Sequence, residues 1–220
     1  GRPIVFVLNE GRPRIISDIE PLATAVVDIL LPGNYGADAL ATLLAGEVNF
    51  SGKLPFTYPK YTNKFAVYDY KPAENQTTMS GVYNYDAVMD VQWPFGHGLS
   101  YTTFEYGQAK AGKASMTADG KMTVTVDVKN TGDREGAEVV QLYVADPVAS
   151  IDRPVKELKG FEKVTLKPGE TKTVTFTLEA DALSFYSIEK NGWVAEAGEF
   201  QALIGPSSDD IRTTATFELK

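Results

Sequence analysis

The sequence predicts two architectures in series. Residues 1–106 read as the C-terminal portion, or tail, of a parallel-sheet α/β sandwich domain, ending in a long clasp loop and a hinge; residues 107–220 read as an all-β sandwich. Three observations predict this. Ile4-Val5-Phe6-Val7-Leu8 is an unbroken apolar run, as expected of a parallel strand covered on both faces. The segments up to residue 46 alternate strand, helix, strand, helix, which implies an open parallel sheet with right-handed crossovers. From about residue 108, short alternating runs separated by turn residues take over, the pattern of an antiparallel sandwich.

Each element follows in order. The first strand, 4–8, ends at the polar loop Asn9-Glu10-Gly11-Arg12-Pro13. Ser17-Asp18-Ile19-Glu20-Pro21-Leu22 offers a capped start to a short helical turn. A second strand covers 25–31 and stops at Pro32-Gly33. Ala37 to Ala45 carries apolar residues at helical spacing and meets a glycine stop at Gly46. Two strands cannot complete such a sheet. Gly1-Arg2-Pro3 also leads straight into a strand, so the chain is expected to be a fragment of something larger. Residues 60–92 mix Tyr61, Tyr68, Tyr70, Tyr83 and Tyr85 with polar residues; aromatics are scarce in disordered segments, so an ordered clasp is expected. In the second half, strands are expected at 122–129, 139–144, 158–164, 172–178, 200–205 and 213–219, with turns at Asn130-Thr131-Gly132-Asp133 and Lys167-Pro168-Gly169-Glu170.

The seam between the halves is the most informative stretch. In Trp93-Pro94-Phe95-Gly96-His97-Gly98-Leu99-Ser100-Tyr101-Thr102-Thr103-Phe104-Glu105-Tyr106, aromatics can pack one layer on another while Gly96 and Gly98 allow tight turns. Trp93, Phe95, Tyr101 and Phe104 are expected to fasten the two halves. Together with Leu31-Pro32-Gly33-Asn34-Tyr35-Gly36 and Asn49-Phe50-Ser51-Gly52-Lys53-Leu54-Pro55-Phe56-Thr57-Tyr58-Pro59, the seam resembles the C-terminal part of glycoside hydrolase family 3, the family of exo-acting β-glucosidases. The resemblance runs nearly the whole length, specific at these three motifs and looser in the last hundred residues.

That resemblance carries several implications. The second half would be a fibronectin type III-like sandwich, whose pattern Gly160-Phe161-Glu162-Lys163-Val164 and Pro168-Gly169-Glu170 resemble. The complete protein would be a retaining exo-β-glucosidase removing terminal β-D-glucosyl units from β-linked oligosaccharides. In the family, the nucleophilic Asp lies on a preceding barrel and the acid Glu lies upstream in the α/β domain. Neither matching motif occurs here, so this chain would be scaffold without catalytic residues, completed by the missing N-terminal barrel and first part of the α/β domain. No cofactor is implied, since carboxylates and water suffice. A secreted or periplasmic location is expected, with any signal lying upstream.

Composition excludes other classes. With net charge −8 and no run of Lys or Arg, nucleic acid is not an expected partner. No apolar stretch approaches the roughly 18–20 residues of a membrane span. The absence of cysteine excludes disulfides and thiolate metal sites, and a single histidine makes a His-cluster zinc site or a Ser-His-Asp triad improbable. The 29 acidic residues include no obvious two-carboxylate cleft.

Among candidate site residues, Glu10 and Arg12 stand out for substrate binding. Open α/β sheets place ligands at the carboxyl ends of their strands, where these two lie. The plainer alternative is a loop ion pair or a contact to the missing barrel, and the family often has a smaller residue at position 10. Gly33-Asn34-Tyr35-Gly36 precedes a helix but lacks a nucleotide-loop spacing; Asn34 or Asp38 as helix N-terminal partners is the simpler account. His97, where the family commonly has Tyr, reads as a hydrogen-bonded hinge residue. Tyr186 and Trp193 could form a platform for a sugar ring, although Phe185 to Val194 also reads as core and turn. Asp146, Asp152, Asp209 and Asp210 lack calcium-loop spacing and read as scattered surface acids. A non-catalytic carbohydrate-binding module, or a structural piece forming a homodimer, remains the alternative function.

Overall fold

The computed structural model describes residues 1–62, 66–72, 74 and 90–220. Of the expected clasp, Tyr83 and Tyr85 lie outside the described residues.

The first half is a small α/β layer. Strands β1 (Val5–Leu8) and β2 (Ala25–Asp28) pair in parallel, with Val5 opposite Ala25 and Leu8 opposite Asp28. β2 ends three residues earlier than the apolar run suggests. The Leu30 N–H donates to Asp28 Oδ1, and Leu30 takes φ 49°, which turns the chain out of the sheet. The expected capped turn is a 3-10 turn, Glu20–Leu22, without a side-chain cap; Ile19 and Glu20 N–H both donate to the Ile16 carbonyl instead. Helix α1 (Gly36–Leu44) stops as expected at Gly46, whose φ of 76° suits glycine. Gly46 N–H bonds Leu43 O and Glu47 N–H bonds Thr42 O, the paired bonds of a Schellman motif.

The expectation that β1 is covered on both faces is not met within this chain. Leu8 is buried, but Ile4 and Val5 are exposed, as are Leu22, Leu30 and Leu31. One helix and two strands offer too little surface to cover them. Strands β3 (Tyr58–Pro59) and β4 (Val91–Trp93) pair antiparallel across the long loop, a bridge too short to show in the sequence pattern.

The second half is a sandwich of two sheets. One sheet pairs β5 (Phe104–Tyr106) and β11 (Thr171–Leu178) with the two edges of β8 (Met122–Asn130), and β6 (Lys110–Ala111) also pairs with β8. The other runs β10 (Glu157–Leu166), β9 (Gly136–Ala145), β14 (Gly198–Gly205), β15 (Thr213–Leu219) and β7 (Ser115–Met116). The pairings are antiparallel except β15 with β7, which is parallel. Phe104–Tyr106 therefore belongs to the sandwich sheet, although the sequence reading put it before the boundary. Strict alternation buries Met122, Val124, Val126 and Val128 against Leu142, Phe200, Ile204 and Phe217. A short helix, α2 (Ala180–Leu183), leads into a separate hairpin of β12 (Phe185–Ser187) and β13 (Gly192–Val194).

Strand β9 breaks the alternation: Gln141 to Ala145 are all buried. Its outer face is covered by the hinge and by the described part of the long loop. Tyr68 stacks on Phe95 at 4.4 Å and meets Tyr143 edge-on at 5.6 Å. Leu158 N–H donates to the Tyr68 hydroxyl, and Val155 N–H to the Tyr70 carbonyl. The aromatics divide the fastening among themselves. Trp93 packs on Tyr58 of the first half, and Tyr101 donates its hydroxyl to Leu43 O at the end of α1 while Arg134 sits over its ring. Phe104 packs on the sandwich core. Phe95 is half-buried and held by one stacked partner. We expect Phe95→Ala to cost about 2 kcal/mol, below the 3–5 kcal/mol typical of a fully buried Phe. Calorimetry should show the loss as separate melting of the two halves, with the sandwich transition unmoved; a profile identical to the parent would mean the ring fastens nothing.

Candidate functional site

Glu10 and Asp28 lie at the carboxyl ends of β1 and β2, where parallel sheets present their chemistry. Glu10 N–H donates to Leu30 O, continuing the parallel pairing past the strand ends. This turns the Glu10 side chain inward, leaving the residue only 6% exposed. The hydroxyl of Tyr58, a fully buried ring, donates to Glu10 Oε1 at 2.8 Å and accepts the Arg14 N–H at 3.2 Å. Burial, then the bond to Glu10, raises the Tyr58 phenol well above its usual range, so it stays a donor. Glu10 Oε2 and Asp28 Oδ2 are buried without a hydrogen-bond partner among the described residues. Leaving such atoms without a donor is costly, which makes this the most strained polar cluster of the α/β layer.

Beside this cluster an open groove of about 480 Å³ lies within the first half, lined chiefly by Pro13, Phe56, Pro59, Tyr68, Asp69 and Phe95. Its walls are mostly rings and prolines. It offers shape but little acid–base chemistry.

Sequence reasoning paired Glu10 with Arg12, and the structure separates them. Arg12 is exposed on the loop, and no ion pair joins the two among the described residues. Asn34 makes no cap bond; Tyr35 occupies the N-cap position of α1, with Asp38 in the first turn, where the helix dipole favours an acid. Asp146 is not a surface acid: its side chain is buried with Arg153 at 2.9 Å. Arg153 also donates to Glu157 and to the carbonyls of Leu183 and Ser184, and lies over the Phe185 ring. Asp210 pairs with Arg212, and among the described residues no group of three possible metal ligands occurs. Tyr58, Arg153 and Gln141 were missed as organising residues, since nothing local in sequence distinguishes a buried polar side chain from a surface one.

His97 is a hinge residue, as expected, though its ring is held by stacking. It lies parallel to Trp93 at 6.4 Å, while its backbone carbonyl accepts from Leu54. Burial first, and the nearby Lys53 second, lower its proton affinity. Lys53 is itself held by Glu138 at 3.0 Å and by the Gly98 carbonyl.

Two outcomes follow from this geometry. Tyr58→Phe removes the donor to Glu10 and leaves a buried acceptor unsatisfied, which should cost about 1–3 kcal/mol in urea unfolding; an unchanged midpoint would mean that water reaches Glu10. For His97, the folded state binds the proton more weakly than the unfolded chain. Its contribution is therefore whole above about pH 6.5 and is lost as pH falls below that value, because the unfolded chain protonates first. His97→Asn should remove that part of the acid-side slope, leaving stability above pH 7 governed by packing alone. A slope identical in parent and variant would show that His97 does not contribute to it.

The two halves match known families separately. Residues 1–101 match the Glycosyl hydrolase family 3 C-terminal domain and residues 138–208 match the Fibronectin type III-like domain. The chain is 41% identical to the periplasmic beta-glucosidase of Salmonella typhimurium, over 100% of this chain and 29% of that protein. It is 44% identical to thermostable beta-glucosidase B of Acetivibrio thermocellus, over 94% of this chain and 28% of that protein. Among solved structures, the beta-glucosidase of Listeria innocua in complex with isofagomine superposes with TM-score 0.89 at 35% identity, covering 100% of this chain and 31% of that one. The chain thus spans less than a third of the length of these relatives. With both of its domains matched and its whole length aligned with these proteins, the chain belongs to glycoside hydrolase family 3, carrying its C-terminal domain and a fibronectin type III-like domain.

Proposed function

We propose that this chain serves as the C-terminal scaffold of a retaining, exo-acting β-glucosidase that removes terminal β-D-glucosyl units from β-linked oligosaccharides. The observation that carries the reading is similarity along nearly the whole of this chain to β-glucosidases of which it spans less than a third, at 41% and 44% identity. The chemistry agrees. A retaining glycosidase needs two accessible carboxyl groups about 5 Å apart. At the strand ends Glu10 is buried under Tyr58, so no such open pair forms there. The division proposed is an α/β part that walls the active site and a sandwich that braces it through the hinge. Arg12, exposed after β1, would meet the substrate side, and Glu10 would hold the loop that carries it. The exposed apolar residues Ile4, Leu22 and Leu31 fit a surface covered by the rest of the α/β domain and a barrel. A secreted or periplasmic location fits the periplasmic relative, and no helix among the described residues is long and apolar enough to cross a membrane.

The test is an aryl β-glucoside assay. The chain alone should release no aglycone above the buffer blank, whereas the longer protein carrying it should release it with retention at the anomeric carbon. Turnover by the chain alone that survives repurification and vanishes in Glu10→Gln would overturn the scaffold reading and make Glu10 catalytic.

A further inference from the structure

We propose that the β12–β13 hairpin is a carbohydrate-binding platform, on which Trp193 and Tyr186 receive the pyranose rings of a β-linked glucan. The pairing register sets Tyr186 directly opposite Trp193, so both rings emerge on one face while Phe185 turns inward. They meet edge to face at 6.0 Å and 83°, forming a corner. Trp193 is 74% exposed and Tyr186 48%, although large rings are usually among the more buried side chains.

The corner is rigidly supported. Arg153, buried and paired with Asp146 and Glu157, donates to the Leu183 and Ser184 carbonyls just before β12 and lies against Phe185. The Tyr186 hydroxyl donates to Asn191 Oδ1, tying the ring to the turn. An exposed aromatic pair held on such a base costs little further entropy when it binds. Next to it lies an open cleft of about 240 Å³, lined by Ile151, Asp152, Arg153, Glu157, Tyr186 and Trp193. That is smaller than the roughly 300–1,000 Å³ of enclosed ligand pockets, so it suits rings laid on a surface.

A sugar fits this mixture. Its C–H face is apolar and can lie on an aromatic ring, and its equatorial hydroxyls can reach the carboxylates of Asp152 and Glu157 at the rim. A second copy of the chain fits worse, since acidic rims on a molecule of net charge −8 repel each other. The choice of β-linked glucose rests on the enzymatic reading above; the platform itself does not.

The experiment is affinity electrophoresis of the full chain in native gels containing barley β-glucan, pullulan or no polysaccharide. β-Glucan should retard the parent, and Trp193→Ala should weaken binding about tenfold, as truncating a central Trp usually does. Trp193→Phe should keep most of the retardation and Ile188→Ser, at the exposed hairpin tip, all of it. Unchanged melting of Trp193→Ala would show that the loss is not unfolding. A parent that migrates alike in all gels, or retardation that survives Trp193→Ala, would overturn the platform. Retardation by pullulan alone would overturn the choice of β-linked glucan, while the enzymatic reading stands or falls by the aryl β-glucoside assay. Mobility that changes with protein concentration but not with polysaccharide would assign the hairpin to a second copy and overturn the proposal.

Discussion

One buried amide holds the two halves in register. Gln141, on the outer face of β9, donates from its single side-chain nitrogen to the carbonyls of Gly96 in the hinge and Pro206 after β14, and its oxygen accepts the Tyr143 hydroxyl. The Gly96 carbonyl and the Tyr143 hydroxyl would otherwise be polar groups buried without a partner, each costing about 1–3 kcal/mol. The geometry leaves no slack at Gly96. Its φ of 79° disfavours any side chain, and a Cβ there would collide with the Gln141 amide. Ser208 N–H then reaches the Phe95 carbonyl and completes the seam.

Around that point the seam is polar as well as aromatic. Asn49, from the loop after α1, donates to Glu135 O and accepts from Ser100 Oγ and Tyr101 N–H. Asn130, fully buried at the end of β8, binds Arg134 O and Leu166 O while accepting from Thr102 and Gly132. Apolar contact alone would let two layers slide, whereas directional bonds to backbone groups set one position.

The halves differ in self-sufficiency. The sandwich closes its own core, from Met122 to Leu219, and little apolar surface on its inner faces reaches water. Among its described residues the α/β part buries three apolar residues, Leu8, Ile16 and Tyr58, and leaves much of its first strand open. At about 25 cal/mol per Å² of apolar area, a core of that size cannot offset the ordering of some hundred residues. Its stability must be borrowed through the hinge and from whatever covers β1 and β2.

What the sequence by itself determined was local. The alternation from Met122 to Lys129, the turn at Lys167 to Glu170 and the glycine stop after α1 could all be read, because side-chain period and turn chemistry act between near neighbours. The hinge and the two motifs at 31–36 and 49–59 also pointed to the family, since their aromatic, glycine and proline residues follow one another in a fixed order. Shorter elements escaped: β5, β12 and β13 have three residues each, too few to show a period. Only the tertiary structure decided the polar interior. Glu10 meets Tyr58 across 48 positions and Gln141 meets Gly96 across 45. Whether a Gln or Glu is buried depends on what packs over it, and in this chain the covering residues come from the opposite side of the hinge. The same holds for Trp193: the sequence left it between core and surface, and the pairing of β12 with β13, braced by Arg153, put it outside.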